Sequence, residues 1–307
     1  MPTPASTPAR RLALLICLLA LCAGCGSPPA GPEPRDPNRI RIASFDFPES
    51  RVVAELYARA LRRAGLPVDV LSGLGTREVV APALEQGQVD LVVDYSGSLL
   101  DHLGGDAGET HGTPQEVHTA LQRRLTGRGL TALAYAPAED ANAFAVPAAY
   151  ARQHQLSRLS DLRGLAGGLV LGGPPECPTR RYCLRGLQET YGLHFAGFRP
   201  QPNRGATATA LQSGEIDVGL LETTSGVLGT GQLTLLVDDL DLQPRENLVP
   251  VVRTELVTRY GSRLTGTLDA VSSRLTTADL VRLNHIVAVN PTGPAEAVDA
   301  YLRLFGP

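Results

Sequence analysis

The chain has 307 residues, 43% hydrophobic and 5% aromatic, with 28 basic and 31 acidic side chains. Every basic one is arginine, and a chain without lysine holds neither a Walker phosphate loop nor a lysine Schiff base. A formal charge of −3 and the lack of a basic stretch to neutralise phosphates argue against nucleic acid as a partner.

Arg10 and Arg11 precede an apolar run, Leu12 to Ala23, that reads as the core of a signal peptide. It is shorter than the ~20 residues a membrane-spanning helix needs, and no later run is longer. The stop Leu21-Cys22-Ala23-Gly24-Cys25 resembles the lipobox of bacterial lipoproteins, with Cys22 where leucine is usual. Residues 1–24 are thus expected to be a lipoprotein signal peptide, and Cys25 the lipid-carrying first residue of the mature protein. Plain secretion, with Cys25 a spare thiol, is the alternative. Residues 25–38, rich in Pro, Gly and Arg, read as a disordered tether. About 270 residues remain, enough for one large or two medium domains, with a mature charge near −5.

Arg39 to Ser44 predicts a strand. Asp46-Phe47-Pro48-Glu49 predicts a helix start, with Asp46 as cap and Glu49 reaching back. Val52, Val53, Leu56, Tyr57, Ala60, Leu61 and Ala64 recur at helical spacing up to Gly65. A strand from Val68 to Leu71 follows, then a helix opened by Thr76 whose buried side is Val79, Val80, Ala83 and Leu84, then a strand from Val89 to Val93. This βαβαβ order implies an α/β fold with a parallel, doubly wound sheet.

A pattern then repeats 127 residues apart: Ala83-Leu84-Glu85-Gln86-Gly87-Gln88-Val89-Asp90-Leu91 and Ala210-Leu211-Gln212-Ser213-Gly214-Glu215-Ile216-Asp217-Val218. Each reads as a helix end, a glycine stop and a buried strand. The spacing is too wide for a solenoid and predicts two similar α/β lobes. Five residues after each aspartate stand Tyr95 and Glu222, just past a strand's carboxyl end, where open α/β sheets bind ligands. Asp90 and Asp217 read as strand-edge or capping groups rather than a general acid and base. The chain turns polar near Pro137 to Asn142, a strand is expected at Leu169 to Leu171, Asn247 to Arg253 reads as a strand returning to the first lobe, and Thr276 to Val287 as a capped helix with Leu280, Leu283 and Ile286 inward. The implied layout is a discontinuous lobe one, 39–138 and 247–307, with lobe two, 139–246, inserted. Two such crossings form a hinge.

Cys177 and Cys183 are expected to form a disulfide in an exported chain, worth roughly 2 kcal/mol; a zinc site would lack ligands. No Gly-x-Ser-x-Gly elbow is present, Ser96 and Ser98 have no evident triad partners, and His102, His111 and His118 read as solvent-exposed. No residue is therefore assigned a catalytic role, and neither metal nor cofactor is expected.

Several segments resemble one family: Ser44-Phe45-Asp46-Phe47-Pro48-Glu49-Ser50, Ala54-Glu55-Leu56-Tyr57, Leu74-Gly75-Thr76-Arg77-Glu78-Val79-Val80, Asp94-Tyr95-Ser96-Gly97-Ser98, Pro137-Ala138-Glu139-Asp140, Gly173-Pro174-Pro175-Glu176, Tyr191-Gly192-Leu193, Val237-Asp238-Asp239 and Pro250-Val251-Val252-Arg253. They look like the corresponding motifs of the quaternary-amine (glycine betaine, choline, carnitine) substrate-binding proteins of osmoprotectant ABC importers, in order, from Ile40 to the C-terminus. The resemblance implies a two-lobed type II periplasmic-binding-protein fold, each lobe a doubly wound, mostly parallel sheet with flanking helices. It implies a quaternary ammonium held in an aromatic cage by cation–π contact, and a ligand carboxylate met by arginine. Carried over by position, Tyr95 matches a cage tyrosine, Ser98 a hydroxyl beside it, Arg180 the carboxylate-binding arginine and Asp140 a junction residue. Where the family pattern has further tyrosines this chain has Asn142, Glu222 and Glu246, so one cage ring of four is kept. Phe45 is placed to replace a ring or to act as a helix-entry staple. The acids at 222 and 246 are either charge partners of a cation or solvated rim residues, and Tyr135 and Tyr182 are either near the site or packing residues.

The function these readings imply is an extracytoplasmic, lipid-anchored, monomeric receptor. It captures a quaternary-amine-like cation or zwitterion and passes it to an ABC permease with its ATPase. A ligand-sensing lipoprotein of the same fold, a binder of another cationic amine, and an enzyme grown on the scaffold are the rivals.

Overall fold

The computed structural model describes residues 36, 38–289 and 293–305. The expected signal peptide and Cys25 lie outside the described residues, as does nearly all of the expected tether.

In chain order the first stretch holds β1 (Ile40–Phe45), α1 (Pro48–Arg63), β2 (Val68–Gly75), α2 (Arg77–Glu85), β3 (Leu91–Tyr95), α3 (Ser96–His102), α4 (Ala107–Thr110), α5 (Pro114–Leu125) and β4 (Leu130–Ala132). The second holds β5 (Asn142–Pro147), α6 (Ala148–His154), β6 (Val170–Gly173), α7 (Leu184–Tyr191), β7 (Gly197–Pro200), α8 (Arg204–Ser213), β8 (Val218–Glu222) and β9 (Leu233–Leu236). The chain then returns as β10 (Leu248–Arg253), α9 (Thr254–Tyr260), α10 (Ser262–Ser272), α11 (Thr277–Val289) and α12 (Pro294–Phe305).

The two sheets run β2-β1-β3-β10-β4 and β7-β6-β8-β5-β9. In each, the first three strands are parallel and the fourth is antiparallel to both its neighbours. The βαβ units account for the parallel part. The antiparallel strand is in each case the one that enters from the other lobe: β5 follows the first crossing and β10 the second. The crossings meet in an antiparallel bridge between Glu139 and Asn247. In each sheet four strands thus run one way and one against them, so the sheets are mixed and mostly parallel, as expected.

The repeat has one job in both lobes. Gly87 and Gly214 take φ of 70° and 75° and end their helices. Asp90 then accepts the Arg41 backbone N–H at 2.9 Å while its own N–H donates to the Arg41 carbonyl. Asp217 does the same with Val170, at 2.8 Å through the side chain. Each carboxylate thus fixes the register at which the third strand starts beside the first.

Several local expectations are corrected. Helix α1 begins with Pro48 at its first position and Phe47 as N-cap, so Asp46 does not cap and Glu49 is released from that role. Val79 is 50% exposed and packs beside Gly75; Val80, Ala83 and Leu84 alone face the core from α2. The region containing His118 is not open: a Thr113–Glu116 capping box starts α5, and His118, 7% exposed, meets the Leu133 carbonyl through Nε2 at 2.7 Å. Tyr135 packs against that imidazole, with ring centroids 5.2 Å apart.

The candidate ligand cleft

A cavity of about 790 Å³ opens between the carboxyl ends of β3 and β8 and the two crossings. From β3, Tyr95 presents a ring 5.9 Å from that of Phe47, and its hydroxyl donates to Glu49 Oε1 at 2.8 Å. Burial first, then the neighbouring carboxylate of Glu49, pushes the phenol well above its ordinary value, so it stays a neutral donor. Ser98, in the first turn of α3, gives its backbone N–H and hydroxyl to Glu246 at 3.0 and 2.5 Å. Glu246 is 7% exposed, and burial raises its carboxyl to about 7, against the pull of the Ser98 bonds and of Arg77.

The crossing residue Asp140 accepts the Thr224 hydroxyl at 2.7 Å. Burial and the nearby Glu49 and Glu222 push its carboxyl well up. On lobe two, Asn142 begins β5 opposite Glu222, which ends β8. Arg204 binds both, donating to Glu222 Oε1 at 2.6 Å and Asn142 Oδ1 at 2.7 Å. Burial raises the Glu222 carboxyl while Arg204 opposes it. Asn203 positions the arginine by capping α8, its side chain accepting the Ala206 N–H at 2.9 Å.

Tyr95, Ser98, Asp140, Asn142, Glu222 and Glu246 all line this cavity. Two expected residues do not. Phe45 is 3% exposed and lies behind the wall, its centroid 5.8 Å from Phe47 and 6.5 Å from Tyr95. As part of β1 it points into the core, and Phe47, two residues on and past the strand end, reaches the cavity instead. Arg180 is exposed and lines a separate pocket of about 310 Å³ that shares only Asn142 and Arg204 with the first. The Cys177–Cys183 disulfide, Cα–Cα 5.2 Å, fixes the loop that carries Arg180 there, together with Tyr182.

Sequence reasoning missed Phe47, Glu49, Arg77, Arg204 and Asn284. Glu49 was hidden by a capping-box reading, and the Phe45-Asp46-Phe47 alternation was the available signal for Phe47. Arg77 pairs with the buried Asp94 at 2.7 Å and stacks over Phe45 at 5.3 Å. Glu49, Asp140, Glu222 and Glu246 stand against Arg77 and Arg204 in the wall, and Asp94 already answers Arg77. The cavity is thus rich in acids whose hold on their protons burial strengthens, with two ring faces beside them. The ring faces, and any acid that a bound cation ionises, are what it offers a compact cation. Among the described residues no cluster is arranged to hold a metal ion, and no helix is long and apolar enough to cross a membrane.

Residues 38–304 match the family described as the substrate binding domain of ABC-type glycine betaine transport systems. A glycine-betaine-binding protein of Pseudomonas aeruginosa is 29% identical over 279 residues, covering 86% of this chain and 87% of that one. A carnitine transport binding protein, OpuCC, of Listeria monocytogenes is 24% identical over 277 residues, 89% and 88% of the two chains. The fold is shared with a crystal structure described as a glycine betaine/carnitine/choline ABC transporter, at TM-score 0.79 and 23% identity over 86% of this chain and 97% of that one. With two mixed sheets facing a cleft lined by acids and rings, and with residues 38–304 matching its model, the chain belongs to the family of substrate-binding domains of ABC-type glycine betaine transport systems.

Proposed function

We propose that this chain captures a small quaternary-amine cation or zwitterion and releases it to an ABC permease, acting as a binder with no covalent step. The observation that carries the ligand class is the wall itself: the faces of Tyr95 and Phe47 beside Glu49, Asp140, Glu222 and Glu246. A trimethylammonium offers no strong hydrogen-bond donor, so ring faces and carboxylate charge are the forces left to hold it. Where the family pattern has further tyrosines, Glu222 and Glu246 offer carboxyl groups here in place of π-surface, and Asn142 an amide. A zwitterion's carboxylate is assigned to Arg204, which keeps three guanidinium N–H groups beyond the two given to Glu222 and Asn142. Arg180, in the adjoining pocket, is a further anion contact for a longer ligand. Cys25 is proposed as the lipid attachment point, which would hold a monomeric receptor at the outer face of the membrane.

The test is a thermal-shift screen of the mature protein over betaines, choline, carnitine, polyamines and basic amino acids. A ligand at about a hundred times its Kd adds about 2.7 kcal/mol to stability and raises the melting temperature. A quaternary amine is expected to give the largest shift. No shift from any quaternary amine, with a clear one from another class, overturns the ligand assignment.

A further inference from the structure

Helix α11 packs into the lobe-one core through Leu280 and Leu283, yet its middle turn lies against the 3-10 turn Gly226–Thr230 of lobe two. Asn284 sits at that contact. Its Nδ2 is 2.6 Å from Glu49 Oε2 in lobe one and 2.9 Å from the Thr224 carbonyl oxygen in lobe two. Both partners are acceptors, so only the amide nitrogen fits there, and its two hydrogens serve one lobe each. Glu49 accepts the Tyr95 hydroxyl on its other oxygen, and the Thr224 hydroxyl donates to Asp140. One hydrogen-bonded series therefore runs Tyr95–Glu49–Asn284–Thr224–Asp140, from the cavity's ring to its junction acid.

The close approach depends on Gly226. A Cβ there would stand 2.7 Å from both the Asn284 carbonyl carbon and the His285 nitrogen, which are backbone atoms with nowhere to move. His285 Nδ1 adds a contact to the Gly226 carbonyl at 3.1 Å. The glycine admits the helix, and the helix delivers the amide.

We propose that Asn284 is a positioning residue that ties the acidic and aromatic wall of the cavity to the relative setting of the two lobes. The amide is held from both sides: moving lobe two away takes the Thr224 carbonyl from it and leaves Glu49 as its one acceptor of the two, so the amide that orients Glu49 is fixed from both sides only when the lobes stand together. The ligand arm of the test below rests on the proposed quaternary-amine reading; the ligand-free arm does not.

Spin labels on α5 and α7 of the mature protein report the interlobe distance without ligand. A narrow distribution is expected for the parent and a broader one for Asn284→Asp, which turns donors into acceptors, and for Gly226→Ala, which pushes the helix off. In calorimetry with choline, Asn284→Leu, which removes the amide without adding a charge beside the cation, is expected to weaken binding about tenfold, as for loss of a hydrogen bond to a charged group. Distributions matching the parent in both variants overturn the proposal. If the parent binds no quaternary amine at all, the functional reading fails instead, and the distance measurement still decides this one.

Discussion

Phe45 and Phe47 differ by two positions and separate stability from binding. Phe45 is closed in the core, so Phe45→Ala is expected to cost about 3–5 kcal/mol of folding stability. Phe47 is 37% exposed at the cavity rim, so Phe47→Ala is expected to leave the melting temperature nearly unchanged while weakening choline binding by about 0.5–2 kcal/mol. Denaturant titration and calorimetry on both variants check the pair. Arg204 distinguishes ligand charge types. Arg204→Ala frees Glu222 from its cation, so choline affinity is expected to hold or rise while glycine betaine affinity falls about tenfold, the worth of a charge-assisted bond. Equal losses for both ligands in calorimetry would remove the carboxylate role given to Arg204. The site was partly legible at this scale. Tyr95 and Glu222 could be found because a local repeat marks the strand ends that carry them. Arg204 could not, since it reaches Glu222 only after α8 docks beside β8, and no short-range pattern encodes that docking. Arg180 misled for the converse reason: motif position gives chain order, whereas the disulfide loop decides which pocket it faces.

At the level of elements, the paired aspartates make the sharpest statement. Asp90 and Asp217 each accept a strand's backbone N–H in their lobe. Alanine at either site leaves that donor without its partner, and about 1–3 kcal/mol of stability is expected to be lost. Because neither residue lines the cleft, ligand affinity should survive in whatever fraction stays folded. Chemical denaturation followed by calorimetry on Asp217→Ala tests both halves; a large loss of affinity with unchanged stability would refute the assignment. The βαβ units were readable because glycine stops and β-branched runs are local signals. Helix α5 was not, because its His118 and Gln-rich face looks polar until the Leu133 carbonyl satisfies the buried imidazole. The antiparallel direction of β5 and β10 was equally hidden: a strand's residues report burial, not the direction from which the chain arrives.

For the whole molecule, the buried acids predict how pH acts. Glu246, raised to about 7 by burial, binds its proton more tightly folded than unfolded. Its contribution to stability is therefore complete below about pH 4.5 and is lost as pH climbs to about 7, a change on the order of 3 kcal/mol. Asp140 acts in the same direction. A bound cation favours the ionised acid, so choline affinity is expected to rise between about pH 6 and 8 with release of a proton. Calorimetry in buffers of different ionisation enthalpy measures that proton, and Glu246→Gln should remove most of the pH dependence. A flat affinity profile in the parent would show that the ligand does not draw on this carboxylate. The position of β10 also bears on how the protein is made. It lies between β3 and β4, in the interior of the first sheet, yet it is synthesised after the whole of the second lobe. A nascent chain that has not reached Leu248 leaves the long edge of β3 unpaired, so the half made first is finished last. Hydrogen exchange on a chain stopped at residue 246 should find the amides on the β10 side of β3, those of Val92, Asp94 and Ser96, unprotected, and the lobe that begins the molecule waits on the inserted one for its completion.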